Sequence, residues 1–437
     1  MNAERQGAAI AVMEPGVHRP EPVTIAESGL GRELLYELVL KSLYYTGSGT
    51  ASGLVDALGL SGSVVQELLS GLSRDRLVMV LGGESARPMS YQYALTDLGI
   101  ERAAAAMERS QYVGVAPVPF SSYVDQVERQ RIQGMALTRE QVERALAHLV
   151  LDETTRVHVG RAAASRKPTL VYGASGNGKT SIVQALGATV AGEILIPYAI
   201  EVLGHIVRLY DPSKHVLVEE PPQSAGVRRV QRHDRRWARI HRPSVWAGGE
   251  LTRYSLELVW DERSKTYEAP LQLKANGGTL IIDDFGRQQI PAVELLNRWI
   301  VALEGGVDHL TFHTGQTLAI PFDVLVLFST NLDPSQLADD AFLRRIRYKI
   351  EVRNPTEEEF REIFRREAQT RSLAYDDAVV EHVLRTWYRG RELRGCHPKD
   401  IVEAVLDAAQ YEGRPPALTR EAVDDACQTY FLHQPEG

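Results

Sequence analysis

The stretch "TLVYGASGNGKTSIVQALGATV", residues 169 to 190, constrains the fold of this chain more than any other. It predicts a strand, then a loop matching G-x-x-x-x-G-K-[ST], then a helix. Glycines let the backbone N–H groups of such a loop wrap a phosphate, and the helix N-terminus favours negative charge. The candidate phosphate-binding residues are Gly173, Ala174, Ser175, Gly176, Asn177, Gly178, Lys179 and Thr180. Of these, Lys179 is expected to reach the β- and γ-phosphates of a nucleotide, and Thr180 to hold Mg²⁺.

A second stretch, "GGTLIIDDFG" at residues 277 to 286, supplies the acids that such a site needs. Four apolar or β-branched residues run into two aspartates, as they do in a buried parallel strand. Asp283 is the candidate Mg²⁺ ligand, and Asp284 is the candidate group that orients or deprotonates an attacking water. Glutamate is the commoner residue at the second position, so the side chain here is one methylene shorter. The alternative is that Asp284 only caps the next helix, since aspartate is a common N-cap.

The patterns around these two motifs divide the chain into five parts. Residues 138 to 352 alternate between strand and helix patterns, which predicts an α/β domain with a parallel sheet flanked by helices. An insert at about 192 to 275 separates its two motifs. Residues 353 to 437 are predicted to form a helical domain. Capping boxes predict the first helix of each domain, at Thr138 with Gln141 and at Thr356 with Glu359.

The N-terminal part has a different pattern. Residues 1 to 26 are predicted to be a flexible tail, and residues 27 to 110 read as three helices, a hairpin and a further helix. This order predicts a winged-helix-like domain. Residues 111 to 137, rich in proline and small residues, are predicted to be a linker.

Composition limits the class of protein. The chain has 437 residues, 44% of them hydrophobic and 24% charged, which is ordinary for a globular protein of two to three domains. A net charge of -8 gives no reason to expect overall affinity for nucleic acid or anionic membranes. No apolar run reaches the ~18 residues of a membrane span, and the N-terminus lacks the apolar core of a secretory signal. Two cysteines form no disulfide framework, so a cytoplasmic location is expected.

The two motifs, together with the segments that follow them, resemble AAA+ ATPases over about residues 138 to 431. The resemblance implies a P-loop α/β core with an α-helical lid, ATP and Mg²⁺ as ligands, and a homo-oligomeric, hexameric ring. "FDVLVLFSTNLDP" is similar to the strand that ends in a polar sensor, which assigns that role to Asn331. "LADDAFLRRIRYKIEVRNP" is similar to the segment that supplies an arginine finger to the next subunit, with Arg345 the better match and Arg344 the runner-up.

Two further segments refine this resemblance. "RGCHPKDIVEAV" is similar to the lid motif that usually carries a second sensor arginine, and Lys399 occupies that place, with Arg394 as an alternative. "VDHLTFHTGQTLAIP" predicts a hairpin before the sensor strand. This is similar to the branch of AAA+ proteins that includes MoxR-type, magnesium-chelatase-type and enhancer-binding members. Within it, the chain resembles bacterial proteins with an N-terminal winged helix, which implies no particular client.

Two candidate surfaces do not decide what kind of partner the protein binds. The helix that would read DNA, "GSVVQELLSGL", contains no lysine or arginine, so a protein-docking role is favoured over a nucleic-acid partner. Seven arginines fall between positions 228 and 242. They form either an insert that grips a client, an acidic partner or nucleic acid, or an ordinary solvated or inter-subunit face.

The function expected from the whole sequence is ATP hydrolysis that remodels or assembles a protein partner. One alternative is an ATP-controlled regulator that binds DNA through the winged helix. The other is a switch that assembles on ATP with little turnover, because Asp284 is shorter than glutamate.

Overall fold

The computed structural model describes residues 17–83, 88–219, 233–337 and 343–431. Its N-terminal part contains a bundle of helices and a small sheet of order β1-β3-β2. The elements are α1 Ile25–Ser28, α2 Arg32–Thr46, β1 Ser48–Thr50, α3 Ala51–Leu58, α4 Gly62–Arg74, β2 Val78–Gly83, β3 Tyr91–Leu95 and α5 Asp97–Arg109. Thr50, Ser61 and Thr96 cap α3, α4 and α5 by accepting a backbone N–H bond. From α2 onward, the helices and the β2–β3 hairpin follow the order read from the sequence, and the short strand β1 adds a third strand by pairing with β3.

The segment predicted to be a linker is instead folded into the core. It contains β4 Val118–Pro119 and α6 Phe120–Arg129, and Tyr123 and Val127 of α6 are buried. The end of the predicted tail is also docked, since Arg19 lies over the ring of Trp237 and pairs with Asp125. Proline and small residues indicated a loose connection here, but amphipathic packing of α6 outweighs composition.

The central part contains most of the strands. In chain order its elements are α7 Arg139–Leu146, α8 Glu153–Ser165, β5 Thr169–Tyr172, α9 Lys179–Ala188, β6 Glu193–Pro197, β7 Ala199–Val202, β8 His205–Arg208, β9 Trp237–His241, β10 Ser244–Ala247, β11 Val259–Asp261, β12 Thr266–Glu268, α10 Leu271–Lys274, β13 Thr279–Ile282, α11 Ala292–Gly305, β14 Val307–Thr311, β15 Thr317–Pro321, β16 Leu325–Thr330, α12 Pro334–Leu337 and β17 Tyr348–Glu351. The capping box predicted for α7 is present.

A five-stranded sheet of order β10-β13-β16-β5-β17 organises this part, and all of its neighbouring strands are parallel. Its central strands are buried on both faces, as the apolar runs predicted. Val159 of α8 and Ile182 of α9 share one hydrophobic cluster with the sheet, while Trp299 of α11 belongs to the cluster that includes Leu280 and Phe328. The predicted fold class, an α/β core with a parallel sheet flanked by helices, is confirmed.

Residues 192 to 275 do not form a single insert. Strand β10 belongs to the parallel sheet, where it pairs with β13 from Ser244↔Thr279 to Ala247↔Ile282. The remaining strands of this region, together with β4, build two smaller sheets, the accessory sheets, of order β11-β12-β8-β7-β4 and β6-β9. The pattern of alternation in this region predicted strands, but it carried no information on which of them joins the core.

The described part of the arginine-rich stretch connects regions within the chain. Arg235 pairs with Asp56 of α3, Arg239 pairs with Glu193, and Arg242 donates to the carbonyl oxygens of Gly277 and Gln130. Arg236 is buried and forms a salt bridge with Asp234 at 2.9 Å. Arg228, Arg229 and Arg232 lie outside the described residues. The four described arginines therefore bind groups of their own chain, and the interpretations of the whole stretch as a client grip or as a solvated or inter-subunit face stay predictions.

The buried pair of Arg236 and Asp234 gives a stability prediction. Arg236→Ala is expected to lower the free energy of unfolding by about 3 kcal/mol, because it leaves the Asp234 carboxylate buried without its partner. The Ser28 carbonyl oxygen, which accepts from Arg236 at 2.8 Å, also loses its donor. Urea denaturation of the purified protein measures the change. Arg263→Ala, at an exposed turn, is the control, and equal stability of the two variants would contradict a structural role.

The C-terminal part is helical, as predicted. It comprises α13 Glu357–Thr370, α14 Asp377–Trp387, α15 His397–Tyr411 and α16 Arg420–Tyr430 around one hydrophobic cluster. The capping box of Thr356 and Glu359 starts α13. Within the described ranges, no helix combines the length and the apolar character that crossing a membrane requires.

Candidate nucleotide site

The phosphate loop lies between β5 and α9 at the carboxyl edge of the parallel sheet. Its three glycines, Gly173, Gly176 and Gly178, all have positive φ, at 136°, 83° and 81°. A Cβ atom at Gly173 would overlap the carbonyl oxygen of Val352, so this position requires glycine for space as well as conformation. The loop therefore brings its backbone N–H groups and the N-terminus of α9 to one concave surface suited to an anion.

Lys179 and Thr180 are the first residues of α9. The ammonium of Lys179 donates to the Ala174 carbonyl oxygen at 2.9 Å. Burial lowers the pKa of Lys179, and the carboxylates of Asp284 and Asp283 oppose that shift. The lysine is thus a partly desolvated cation beside two acids, where an anionic phosphate would be strongly attracted.

The candidate magnesium ligands meet at this edge. The Thr180 hydroxyl lies 3.2 Å from an Asp283 carboxylate oxygen. Asp283 also accepts a hydrogen bond from the Ser329 hydroxyl and one from the Asp284 N–H. Sequence reasoning did not identify Ser329. The strand register could have identified it, because β13 pairs with β16. Asp283 follows Ile282, and Ser329 follows the residue of β16 that pairs with Ile282.

Asp284 does not cap a helix. The next helix, α11, begins at Ala292 with Pro291 at its N-cap position, so the capping alternative is excluded. Asp284 has a left-handed backbone with φ of 50°, and its side chain is exposed. Aspartate tolerates this conformation better than most residues do. The flanking Phe285 is buried and donates its N–H to the Ser329 carbonyl oxygen at 2.7 Å.

Asn331 directly follows β16, next to the ends of β5 and β13. Its side-chain oxygen Oδ1 is buried and has no hydrogen-bond partner among the described residues. A buried amide oxygen without a partner is costly in a folded protein. A polar ligand or an ordered water at this sheet edge would satisfy it.

The two candidate finger arginines differ in their surroundings. Arg345 pairs with Glu304 of the same chain at 2.6 Å, and its side chain is only 18% exposed. Arg344 is exposed. The pattern match ranked Arg345 first, but the contacts of the single chain leave Arg344 the more accessible of the two.

The helical part contacts the phosphate loop through the segment before α15. Arg394 donates to the side-chain oxygen of Asn354 at 2.8 Å, and Asn177 of the loop donates to the same oxygen at 2.8 Å. The N–H of Gly395 bonds to the Asn177 side chain at 3.2 Å, and that of Cys396 to the Gly176 carbonyl oxygen at 2.7 Å. Arg394, the alternative to Lys399, is therefore the lid cation beside the loop.

Lys399, the first choice from the sequence, has a different environment. Its side chain is 55% exposed, and the ion pair described for it is with Glu403 of its own helix at 3.9 Å. A helix places residues three and four apart on one face, so this pair is a local one. No contact with the phosphate loop is described for Lys399, whereas Arg394 is linked to Asn177 of the loop through Asn354.

A cavity of about 160 Å³ opens beside Asn177 and Gly395. Apolar side chains from the start of α8, the end of β17 and α13 contribute to its lining, together with the cap residues of these helices. The apolar members are Val150, Leu151, Val352, Pro355 and Ile363. Its position next to the phosphate loop and its apolar wall suit the flat base of a nucleotide.

In chemical terms, the edge combines an anion cradle, a desolvated lysine, a hydroxyl–carboxylate pair and a second carboxylate. Across the described ranges, no group of three or more histidine, cysteine, aspartate or glutamate side chains is arranged to hold a metal. Mg²⁺ does not need one, because it usually takes one or two protein ligands and completes its shell with phosphate and water.

Comparison with known proteins gives few further constraints. A family model described as "Domain of unknown function (DUF8689)" matches residues 356–429. No curated protein matches the sequence significantly. Solved structures with a similar arrangement include NtrX from Brucella abortus, which is 12% identical, with 85% of this chain and 64% of that chain covered and a TM-score of 0.40. The same protein in complex with ATP is 15% identical, with 77% and 65% covered and a TM-score of 0.39.

A RuvB structure from Thermotoga maritima, described as a Holliday junction branch migration motor, is 16% identical, with 69% of this chain and 72% of that chain covered and a TM-score of 0.35. The chain thus spans less than two thirds of the NtrX chains given above.

Proposed function

We propose that this protein is a cytoplasmic AAA+ ATPase that binds ATP with Mg²⁺, hydrolyses it, and uses the energy to remodel or assemble a protein partner. One observation carries the proposal. Thr180 and Asp283 lie within 3.2 Å of one another and next to Lys179, and the carboxylates of Asp284 and Asp283 oppose the lowering of the Lys179 pKa by burial. Four side chains from two separate motifs therefore converge on the cradle formed by the phosphate loop.

Each residue has a proposed role. The N–H groups of residues 173 to 180 and the Lys179 ammonium bind the phosphates. Asp284 orients the attacking water and accepts its proton, and Asn331 holds that water or the γ-phosphate through its amide. Arg394, beside Asn177, is the lid cation that responds to the nucleotide, a role for which Lys399 was the first candidate.

The donor set fits Mg²⁺. Thr180 and Asp283 provide a hydroxyl and a carboxylate oxygen, which are the ligand types this ion prefers. When bound, Mg²⁺ neutralises charge that develops on the phosphate oxygens. Ser329 and the Asp284 N–H hold the Asp283 carboxylate in one orientation, which would keep it ready for the ion.

A ring is proposed because the segment that carries Arg344 and Arg345 resembles the segment of AAA+ proteins that supplies an arginine finger to a neighbouring subunit. Such an arginine would stabilise charge on the transferred phosphoryl group. The ring size of six and the MoxR-type or magnesium-chelatase-type branch are proposed from the sequence resemblance alone.

The hairpin supports a remodelling role. Strands β14 and β15 form the hairpin predicted before the sensor strand. Its tip packs on the accessory sheets, where Phe312 and Tyr267 stack edge-to-face at 4.9 Å and His313 lies 4.6 Å from Trp260. Movement of the hairpin during hydrolysis would therefore move the accessory sheets and, through Arg235 and Asp56, the winged-helix-like domain.

A DNA-binding role is less well supported. Helix α4 is the one that would enter the major groove. Its N-terminus is covered by an earlier segment of the chain. Ser61 and Ser63 donate to the carbonyl oxygens of Pro22 and Val23 at 2.6 Å and 2.8 Å. Glu67, on the same helix, adds negative charge. Contacts between proteins suit this surface better than contacts with phosphates do.

Phosphate release by the purified protein tests the proposal. We expect turnover that requires Mg²⁺, rises with protein concentration as subunits assemble, and is lost in Lys179→Ala. Assembly on ATP with background phosphate release would identify a switch. Strongly salt-dependent binding to duplex DNA would favour the regulator instead.

A further inference from the structure

Gln288 makes three hydrogen bonds to the turn that follows the two aspartates. Its side-chain nitrogen donates to the carbonyl oxygens of Asp283 at 2.9 Å and Asp284 at 3.0 Å. Its side-chain oxygen accepts the N–H of Gly286 at 2.7 Å. One amide group thus serves as partner for three backbone groups, of which the Asp284 carbonyl oxygen also accepts from the Arg287 N–H at 3.0 Å.

The turn that Gln288 holds has two residues with positive φ, Asp284 at 50° and Gly286 at 98°. A Cβ atom at Gly286 would overlap the side chains of Leu337 and Leu332, so glycine is required there. Asp284 has no such steric reason for its left-handed backbone. A non-glycine residue in this region is uncommon, and surrounding contacts must maintain it.

The conformation of Asp284 determines where its carboxylate points. The Asp284 N–H donates to the Asp283 carboxylate at 3.1 Å, and that carboxylate lies 3.2 Å from the Thr180 hydroxyl at the start of α9. The turn that contains Asp284 therefore begins at the edge of the phosphate loop. A short acid reaches this position because the turn directs it there, and aspartate accepts the left-handed backbone more readily than glutamate does.

We propose that Gln288 is a positioning residue that holds the Asp284 backbone in its left-handed turn and so aims the carboxylate at the phosphate site. The inference rests on the proposed hydrolysis of ATP. It explains how aspartate serves where a longer acid is usual. Without Gln288, the Asp283 carbonyl oxygen and the Gly286 N–H lose the partner described for them, and the Asp284 carbonyl oxygen keeps only the Arg287 N–H. The turn is then free to adopt a regular conformation.

Gln288→Leu removes the hydrogen bonds while keeping a side chain of similar size. We expect kcat for ATP hydrolysis to fall by about 10- to 100-fold, since a displacement of about 1 Å of a catalytic group can cost that much. The KM and the affinity for ATP should change little, because the hydrogen bonds described for Gln288 go to Asp283, Asp284 and Gly286 and not to the phosphate loop. The neighbouring Gln289→Ala is the matched control, since Gln289 is exposed, and it should keep the activity of the wild type.

Combining Gln288→Leu with Asp284→Asn separates positioning from a general structural role. If Gln288 acts through the Asp284 carboxylate, its loss should have no further effect on single-turnover hydrolysis once that carboxylate is gone. An equal further loss in the double variant would overturn the inference, and so would wild-type kcat in Gln288→Leu. Absence of turnover in the wild type would instead overturn the proposed function, and the inference with it.

Discussion

Asp284→Asn is expected to lower kcat for ATP hydrolysis by about 10²–10⁴-fold, the range that a positioned general base contributes. Asparagine retains the shape of the side chain and tolerates the left-handed backbone at φ of 50°, so the turn should survive. It cannot accept a proton from the attacking water. ATP binding should remain, because the phosphate loop, Lys179, Thr180 and Asp283 are unchanged.

Two measurements on the same samples check this expectation. Phosphate release gives kcat, and equilibrium binding of ATP gives the affinity. Asp283→Asn provides the contrast, since it should weaken Mg²⁺-dependent binding itself by removing the carboxylate beside Thr180. Hydrolysis by Asp284→Asn at the wild-type rate would show that another group activates the water.

The parts of the site that lie on consecutive strands were predictable from the sequence. Parallel strands bring their carboxyl ends to one edge, so Lys179, Asp283 and Asn331 had to approach each other once β5, β13 and β16 were recognised. Each of these strands is recognisable in the sequence as an apolar run ending in a polar residue or a glycine. The capping boxes at Thr138 and Thr356 were equally visible, because they depend on residues three positions apart.

The parts that depend on contacts between distant segments were not predictable. Arg394 meets the phosphate loop through Asn354, and Arg236 donates to the distant Ser28 carbonyl oxygen. Neither pairing leaves a periodic signal in the sequence. The role of Gln288 is hidden for another reason, since it depends on the backbone conformation of Asp284 and not on any spacing of residue types.

Arg344→Ala is expected to reduce ATP turnover by about 10³-fold or more, the effect of an arginine finger that stabilises charge in the transition state. The loss should exceed that of Arg345→Ala, because Arg345 already pairs with Glu304 within its own chain while Arg344 is exposed. Both variants should bind ATP normally as isolated subunits. Steady-state phosphate release at a protein concentration that saturates assembly measures the two losses.

Mixing two inactive variants tests whether the arginine acts on the neighbouring subunit. Asp284→Asn subunits keep Arg344, and Arg344→Ala subunits keep Asp284, so some boundaries in a mixed ring carry both groups. Part of the wild-type activity should therefore return on mixing, although each variant alone is inactive. If activity does not return, the arginine and the carboxylate serve the same subunit's site. A different outcome is that Arg345→Ala is inactive and regains activity when mixed with Asp284→Asn, in place of Arg344→Ala. In that case the ion pair of Arg345 with Glu304 opens on assembly, and the sequence ranked the two candidates correctly.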